Sequence, residues 1–246
     1  MSNKTSRLGT LLLVIAILAA IAVAVLMFGS RLGLWDPSTG FRQVRVYLNP
    51  IGYVVTGLGV LGLLSQLVTR NGMGIFKTFL VTVIGLCILI PFFFMGKIAP
   101  PAPTPPIHDI TTNMEVPPKF LVLDETRDYA KNSLVYGGPD VADFQKKFYS
   151  DIAPIETSKS PADAYAEALR VAQASGWEIV AQDDSALRYE ATARTPVYNF
   201  ADDVVVVVSA TASGSRVDIR SVSRVGRGDQ GKNAARVRKF IADFQK

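Results

Sequence analysis

A single cysteine and a single histidine, Cys87 and His108, are all that 246 residues offer of the side chains most used for metal ligation and nucleophilic relay. No disulfide can therefore close within the chain, and no multi-cysteine zinc pattern exists. Neither a GxSxG elbow nor a histidine-glutamate metal spacing appears anywhere. The sequence calls for no cofactor and no metal. Acidic residues are also missing from one end: residues 1–99 hold eight basic side chains and one acidic one, Asp36, for a net +7, whereas the remainder holds 18 basic against 20 acidic, a net −2.

Formal charge is absent from three long runs. They lie between Arg7 and Arg31, Arg45 and Arg70, and Lys77 and Lys97, leaving 23, 24 and 19 consecutive uncharged positions. A hydrocarbon core of about 30 Å needs roughly 20 residues of helix at 1.5 Å each, so each run can span. We therefore read residues 1–98 as a three-span anchor, with spans about 8–29, 48–69 and 77–96. An h-region of roughly 7 to 15 residues is exceeded by the first run, which argues for an uncleaved span rather than a signal peptide. The isoelectric point of about 9.3 does not point to nucleic acid, because the basic surplus flanks the spans, where lysine and arginine set topology. No nucleic-acid partner is expected; the expected partner of the first 98 residues is a lipid bilayer.

Lysine and arginine counts leave orientation tied. Lys4, Arg7, Arg70 and Lys77 fall on one side, Arg31, Arg42, Arg45 and Lys97 on the other. Trp35, Phe41 and Tyr47 suit the headgroup layer of an exported interfacial segment, which favours a cytoplasmic N-terminus and an exported C-terminus. Within the second span Gly52, Thr56 and Gly59 share one helical face, with Gly62 and Gln66 a turn further on. Small residues of this kind let helices approach closely in lipid. A transport path would need ionisable groups facing a cavity, and none lies inside these runs.

Residues 99–106 read APPAPTPP, five prolines in eight positions. Polyproline II at about 3.1 Å per residue makes this a semi-rigid spacer of roughly 25 Å. Beyond it, residues 107–246 have the composition of a soluble α+β domain. A short helix is expected near Val141–Phe148 and an extended piece near Ile152–Thr157. A longer helix opens at Ser160-Pro161-Ala162-Asp163, where serine caps and proline occupies the first turn, and Gly176 closes it. Strands follow at Trp177–Gln182, Ala186–Arg194, Asp203–Thr211 and Arg216–Val225. Leu187, Tyr189, Ala191 and Ala193 alternate with Arg188, Glu190, Thr192 and Arg194, the period of a half-buried strand. The unbroken run Val204–Val208 suits a central strand. A last helix, roughly Gln230–Phe244, takes Asp229 as N-cap and aligns Ala234, Val237, Ile241 and Phe244. The expected architecture is an antiparallel sheet of about four strands with two main helices on one face.

Several strings in this half carry a resemblance: PPIHDITTNMEVPPKF at 105–120, GWEIVAQD at 176–183, FADDVVVVV at 200–208 and VDIRSVSRVGRGDQGKNAARVRKF at 217–240. Together with RLGLWDPSTGF at 31–41 and the preceding runs, they are similar to the bacterial membrane-anchored family catalogued as domain of unknown function 1499. The resemblance implies a family architecture and supplies no activity, ligand or catalytic residue.

Candidate site residues follow from the residues themselves. His108 beside Asp109 could serve as a general base if a nucleophile converged on it; the competing reading has the pair tying the entry strand to the domain, with Thr111 and Thr112 satisfying turn hydrogen bonds. Alternation places Arg216, Asp218, Arg220 and Arg224 on one face of their strand, opposite a surface that includes Arg188, Glu190 and Arg194. Cross-strand ion pairing of about 0.2 to 1 kcal/mol per pair is the plain reading. A sharper one uses the turn RVGRGDQGKN, where Arg224 and Arg227 flank a glycine-rich helix start that could bind a phosphate, a carboxylate or a lipid headgroup. Arg194, Asp218, Arg220, Arg224, Arg227, Asp229 and Asn233 are thus the candidate anion-binding set, with Asp229 as a competitor for the same donors.

Charge sorts along this half as well. Residues 100–215 carry 9 basic and 17 acidic side chains, residues 216–246 carry 9 and 3. The last strand and helix are expected to dock on an acidic remainder; a basic face turned to anionic lipid is the alternative. Two function classes follow. One is a non-enzymatic envelope module on the outer face of a bacterial inner membrane, binding a partner protein, an anionic lipid or a wall component. The other is a hydrolase or transferase using His108 with the C-terminal aspartate and arginine cluster.

Overall fold

The computed structural model describes residues 6–95 and 104–246. The linker read from APPAPTPP therefore lies largely outside the described residues. Two compact units are present, Met1–Ala99 with Pro196–Asn199, and Pro100–Thr195 with Phe200–Lys246.

The first unit contains α1 (Arg7–Phe28), α2 (Pro37–Val68) and α3 (Gly72–Met95), three helices long and apolar enough to span a membrane. Ser6 accepts from the Gly9 amide to cap α1, and Asp36 accepts from the Thr39 amide to cap α2, with Pro37 in its first turn. That aspartate-proline start carries α2 upstream of position 48, through the segment that holds Phe41 and Tyr47. The glycine and threonine stripe of α2 brings it against α3. A Cβ on Gly59 would stand 2.5 Å from the Thr82 amide nitrogen, and one on Gly85 2.5 Å from that of Thr56. The two backbones touch at this level, as small residues permit in lipid. Several polar side chains inside the unit are bonded: Ser6 Oγ donates to Gln66 Oε1 at 3.0 Å, and Thr56 and Thr78 donate to the carbonyls one turn back, whereas Gln43 Oε1 and Asn49 Oδ1 are buried without a hydrogen bond. Leu11, Leu18, Leu61 and Val68 are turned outward, as lipid-facing positions would be.

The second unit is built on one antiparallel sheet of six strands. Its order is β1 (Asp109–Thr111), β6 (Gly214–Ser223), β5 (Ala201–Thr211), β4 (Arg188–Arg194), β3 (Glu178–Asp183), and β2 (Ile155–Thr157) shares the β1 edge of β6. The four longer strands are those the alternation marks, with Val204–Val208 central between β4 and β6. β2 lies within the extended piece expected near Ile152–Thr157, and β1 adds a strand from a stretch too short to show a period.

Helices α5 (Pro161–Ala174) and α6 (Lys232–Phe244) cover one face. Ser160 accepts from the Asp163 amide to start α5, and Gly176, at φ +72°, follows its end. Tyr189, Val204, Val206, Val217, Ile219 and Phe240 form the centre of the core, and Trp177 stacks on Phe240 at 5.7 Å. α6 starts two residues later than its sequence suggests. Its N-cap is Gly231 in the left-handed conformation, and Asp229 reaches in from outside, accepting from the Gly231 and Asn233 amides at 2.8 and 2.7 Å. The remaining helix, α4 (Pro139–Phe148), is fastened by a buried glutamine: Gln145 accepts from the Thr111 amide and donates to the Thr111 carbonyl, completing the free edge of β1 like a strand residue.

Candidate functional site

The face of the sheet away from α5 and α6 is polar. Register places Asp109, Val222, Asp203 and Thr192 in one row across β1, β6, β5 and β4, and Thr111, Arg220, Val205 and Glu190 in the next. The chain between β1 and α4, residues 112–138, crosses this face as an irregular strap without helix or strand.

Arg220 is at the centre, with its guanidinium almost fully buried. Its Nε and Nη2 grip both oxygens of Asp109 at 2.9 and 2.6 Å, and Nη1 and Nη2 donate to the carbonyls of Pro118 and Leu134 in the strap. The ring centroids of Phe120 and Tyr136 lie 5.5 and 5.4 Å from its guanidinium carbon, within cation–π range. Burial pushes the Asp109 carboxyl up, while its bonds to Arg220 pull it back. The Tyr136 phenol is pushed up to about 12 by burial and by the nearby Asp109 carboxylate.

A second centre forms on Asp203. Arg224 donates to both of its oxygens at 2.8 to 3.1 Å and to Thr192 Oγ1, and Thr192 also donates to Asp203. Arg127, from the strap, brings its Nε to 2.9 Å from Asp203 Oδ2 as a charge contact outside good hydrogen-bond alignment. Its other nitrogens donate to the Asp124 and Asn132 carbonyls. Glu190 completes the face by accepting from three successive strap amides, Leu121, Val122 and Leu123, while Arg188 bonds both Glu190 and the Lys119 carbonyl.

The candidate anion set is therefore dispersed by the fold. Arg220 and Arg224 are consumed in these centres. Asp218 accepts from Arg216 and Thr112, and Arg194 on β4 pairs with Glu178 on β3 at 3.4 Å. Asn233 ties α6 to the sheet, donating to the His108 carbonyl and Ser223 Oγ and accepting from Ser221. The helix start proposed for an anion is filled by Asp229, whose carboxyl is itself raised by burial. Asp109 joins the entry strand to the domain through Arg220. His108 Nδ1 stands 3.3 Å from the carbonyl oxygen of Arg227, beside the turn before α6.

The charge asymmetry is realised inside the domain, since Arg220, Arg224, Arg236 and Arg238 pair with Asp109, Asp203, Asp202 and Asp151. Sequence reasoning missed Asp203 and Arg127. Asp203 heads a valine run in which alternation is invisible, although its register opposite Thr192 could have been guessed; nothing marked Arg127.

Among the described residues, no group of three or more histidine, cysteine, aspartate or glutamate side chains could hold a metal. A cleft of about 330 Å³ lies between the entry segment and the strap. Its walls include Ile107, His108, Lys131, Ser133, Val135 and Val141. A family model described as a protein of unknown function, DUF1499, matches residues 109–244, from the first residue of β1 to the last of α6. No curated protein matches the chain.

Proposed function

The chain belongs to the DUF1499 family of proteins of unknown function, and we propose that it acts as a membrane-anchored, non-enzymatic binding module whose second unit is exported to the outer face of a bacterial inner membrane. The observation that carries this reading is the fate of the polar groups. Arg220, Arg224, Asp109, Asp203 and Glu190 hold the strap to the sheet, so the groups a hydrolase or transferase would recruit beside His108 are already committed to structure. A general base needs a nucleophile within reach of the proton it takes, and the nearest polar contact of the His108 ring is a backbone carbonyl.

The exported orientation is supported by Trp35 and Phe41 between the first two charge-free runs and Tyr47 at the start of the second. The partners that suit such a module are an envelope protein, an anionic lipid or a wall component. The test places a photoreactive residue at Val135, on the cleft wall and 79 % exposed, in the full chain in native membranes. A discrete adduct absent from the same residue at Val68 in the anchor is the expected result. Adducts identical at both positions would overturn the binding reading, and a reporter fused at Lys246 that is active only in the cytoplasm would overturn the orientation.

A further inference from the structure

The cleft between Pro106–Asp109 and Lys131–Val135 differs from the rest of the polar face in what its side chains leave unused. Asp109 lines it, but Arg220 occupies both carboxylate oxygens, so its charge is matched. Asn132 spends Nδ2 on the carbonyls of Ser223 and Gly226, both at 2.9 Å. Ser133 donates to Glu125 Oε1 and accepts from the Val135 amide, and that same Glu125 oxygen also takes the Leu134 amide, so the rim carboxylate is engaged.

Two groups are left over. The Lys131 ammonium has no carboxylate within ion-pair distance among the described residues. His108 turns Nδ1 to the Arg227 carbonyl, which holds one proton on that nitrogen; Nε2 has no hydrogen-bond partner among the described residues, and with a second proton there the imidazolium donates to an anion from Nε2. Pro106, Ile107, Val135 and Val141 supply apolar wall around them. A pocket with mostly apolar lining and a few convergent polar groups is the usual form of a small-ligand site.

We propose that this cleft binds a small amphipathic anion, one carboxylate or phosphate group carried on an apolar body, with Lys131 as the charge partner and His108 as the second polar contact. The proposal rests on the binding-module reading and names its ligand class. Cation recognition is disfavoured because the only carboxylate on the wall is already matched by a guanidinium. Lysine suits either headgroup, since an ammonium is a point charge that does not demand the planar fork geometry arginine uses. The two sources of such a group, a free small molecule and a bilayer headgroup, share this chemistry.

Because the chain has one histidine, the imidazole signal of His108 in a heteronuclear NMR spectrum reports on the cleft without ambiguity. The full chain in phosphatidylcholine nanodiscs is titrated with octanoate and octyl phosphate, and in a second arm reconstituted with increasing phosphatidylglycerol. A saturable His108 shift is expected in at least one arm. A shift with the soluble amphiphiles identifies a free ligand, and a shift confined to phosphatidylglycerol identifies a lipid headgroup.

Lys131→Gln should weaken the response about tenfold or more, the loss of one charge-assisted bond, and Lys131→Arg should retain most of it. Lys119→Gln, on the same strap but off the cleft wall, should change nothing. No saturable shift in either arm, or a Lys131→Gln titration equal to wild type, overturns the proposal. If that happens while the Val135 adduct persists, the ligand class fails and the binding module stands.

Discussion

Replacing Asp203 by alanine removes one carboxylate from two buried guanidiniums at once. Arg224 loses both of its bidentate contacts and Arg127 its 2.9 Å charge contact, while Thr192 Oγ1 loses its acceptor. The Asp203 side chain has no exposure, and those of Arg127 and Arg224 are 2 % and 8 % exposed, so water cannot replace the lost charge. Breaking a buried pair by removing one partner costs about 3 to 5 kcal/mol, and two stranded cations put this case at the upper end, about 5 kcal/mol. Domains are stable by only about 5 to 15 kcal/mol in total, so most of the margin goes.

Asp203→Asn keeps one acceptor for Arg224 and should cost less, about 2 to 3 kcal/mol. The triple variant Asp203→Leu, Arg224→Met, Arg127→Met removes the stranded charges. It should recover only part of the loss, because the carbonyls of Asp124, Asp128 and Asn132 lose their guanidinium donors. Urea unfolding of the full chain in detergent, followed by Trp177 fluorescence in a Trp35→Phe background, measures all three. Trypsin cleavage at Lys119 and Lys131 reports strap release in the same samples and should accelerate in Asp203→Ala. An Asp203→Ala protein within about 1 kcal/mol of wild type, with unchanged cleavage, would refute the assignment of this centre as the clamp that holds the strap.

Two further outcomes follow from contacts already described. Gly59→Leu drives a side chain into the Thr82 backbone, so it should lower the thermal stability of the anchor in detergent, whereas Gly57→Leu, which meets nothing within 4 Å, should leave it unchanged. The Asp229 carboxyl is raised by burial and by Asp202, so the folded state holds its proton to higher pH than the unfolded chain does. Its stabilising share is therefore full below the unfolded value near 3.8 and is lost as pH rises through the folded value; carbon-detected NMR titration should place its midpoint above 3.8, and a midpoint at or below it would contradict the burial argument.

The longer strands and the capped helices were legible because their signals are local. Ser160-Pro161 and Gly176 mark the ends of α5 within a few residues, and Tyr189, Ala191 and Ala193 declare their face by period alone. The polar side of β6 was legible in the same way. What covers it was not, because the partners lie far off in sequence: Asp109 and Arg220 are 111 residues apart, and Arg224 and Asp128 are 96. Period two tells which side chains share a face and carries no information about which segment arrives there. The strap has no period at all, so neither Arg127 nor the aromatic rings of Phe120 and Tyr136 could be placed. Charge asymmetry was the one long-range signal, and it predicted docking of opposite signs without naming the pairs. At the α6 start Asp229 takes the Gly231 and Asn233 amides, the competition for those donors that the sequence itself announces.

The strap also shows why a sheet face of this size is ionic. Irregular chain 112–138 has no ladder to satisfy its peptide groups, and a buried, unpaired amide or carbonyl is costly. Arginine forks and one glutamate do that work here. Arg220, Arg188, Arg127 and Arg224 donate to strap carbonyls at Pro118, Leu134, Lys119, Asp124, Asn132 and Asp128, and Glu190 receives the amides of Leu121, Val122 and Leu123. An apolar face could have buried strap side chains, but it would have left those peptide groups bare. Holding the strap by its backbone turns many of its side chains outward, and Val116, Leu121, Val122 and Val135 are all more than half exposed. Substituting them leaves every clamp bond in place. The strap is thus fixed in position while its outer surface is released from any duty to the fold, which is the physical condition for a surface that can be shaped for a ligand without unfolding the domain beneath it.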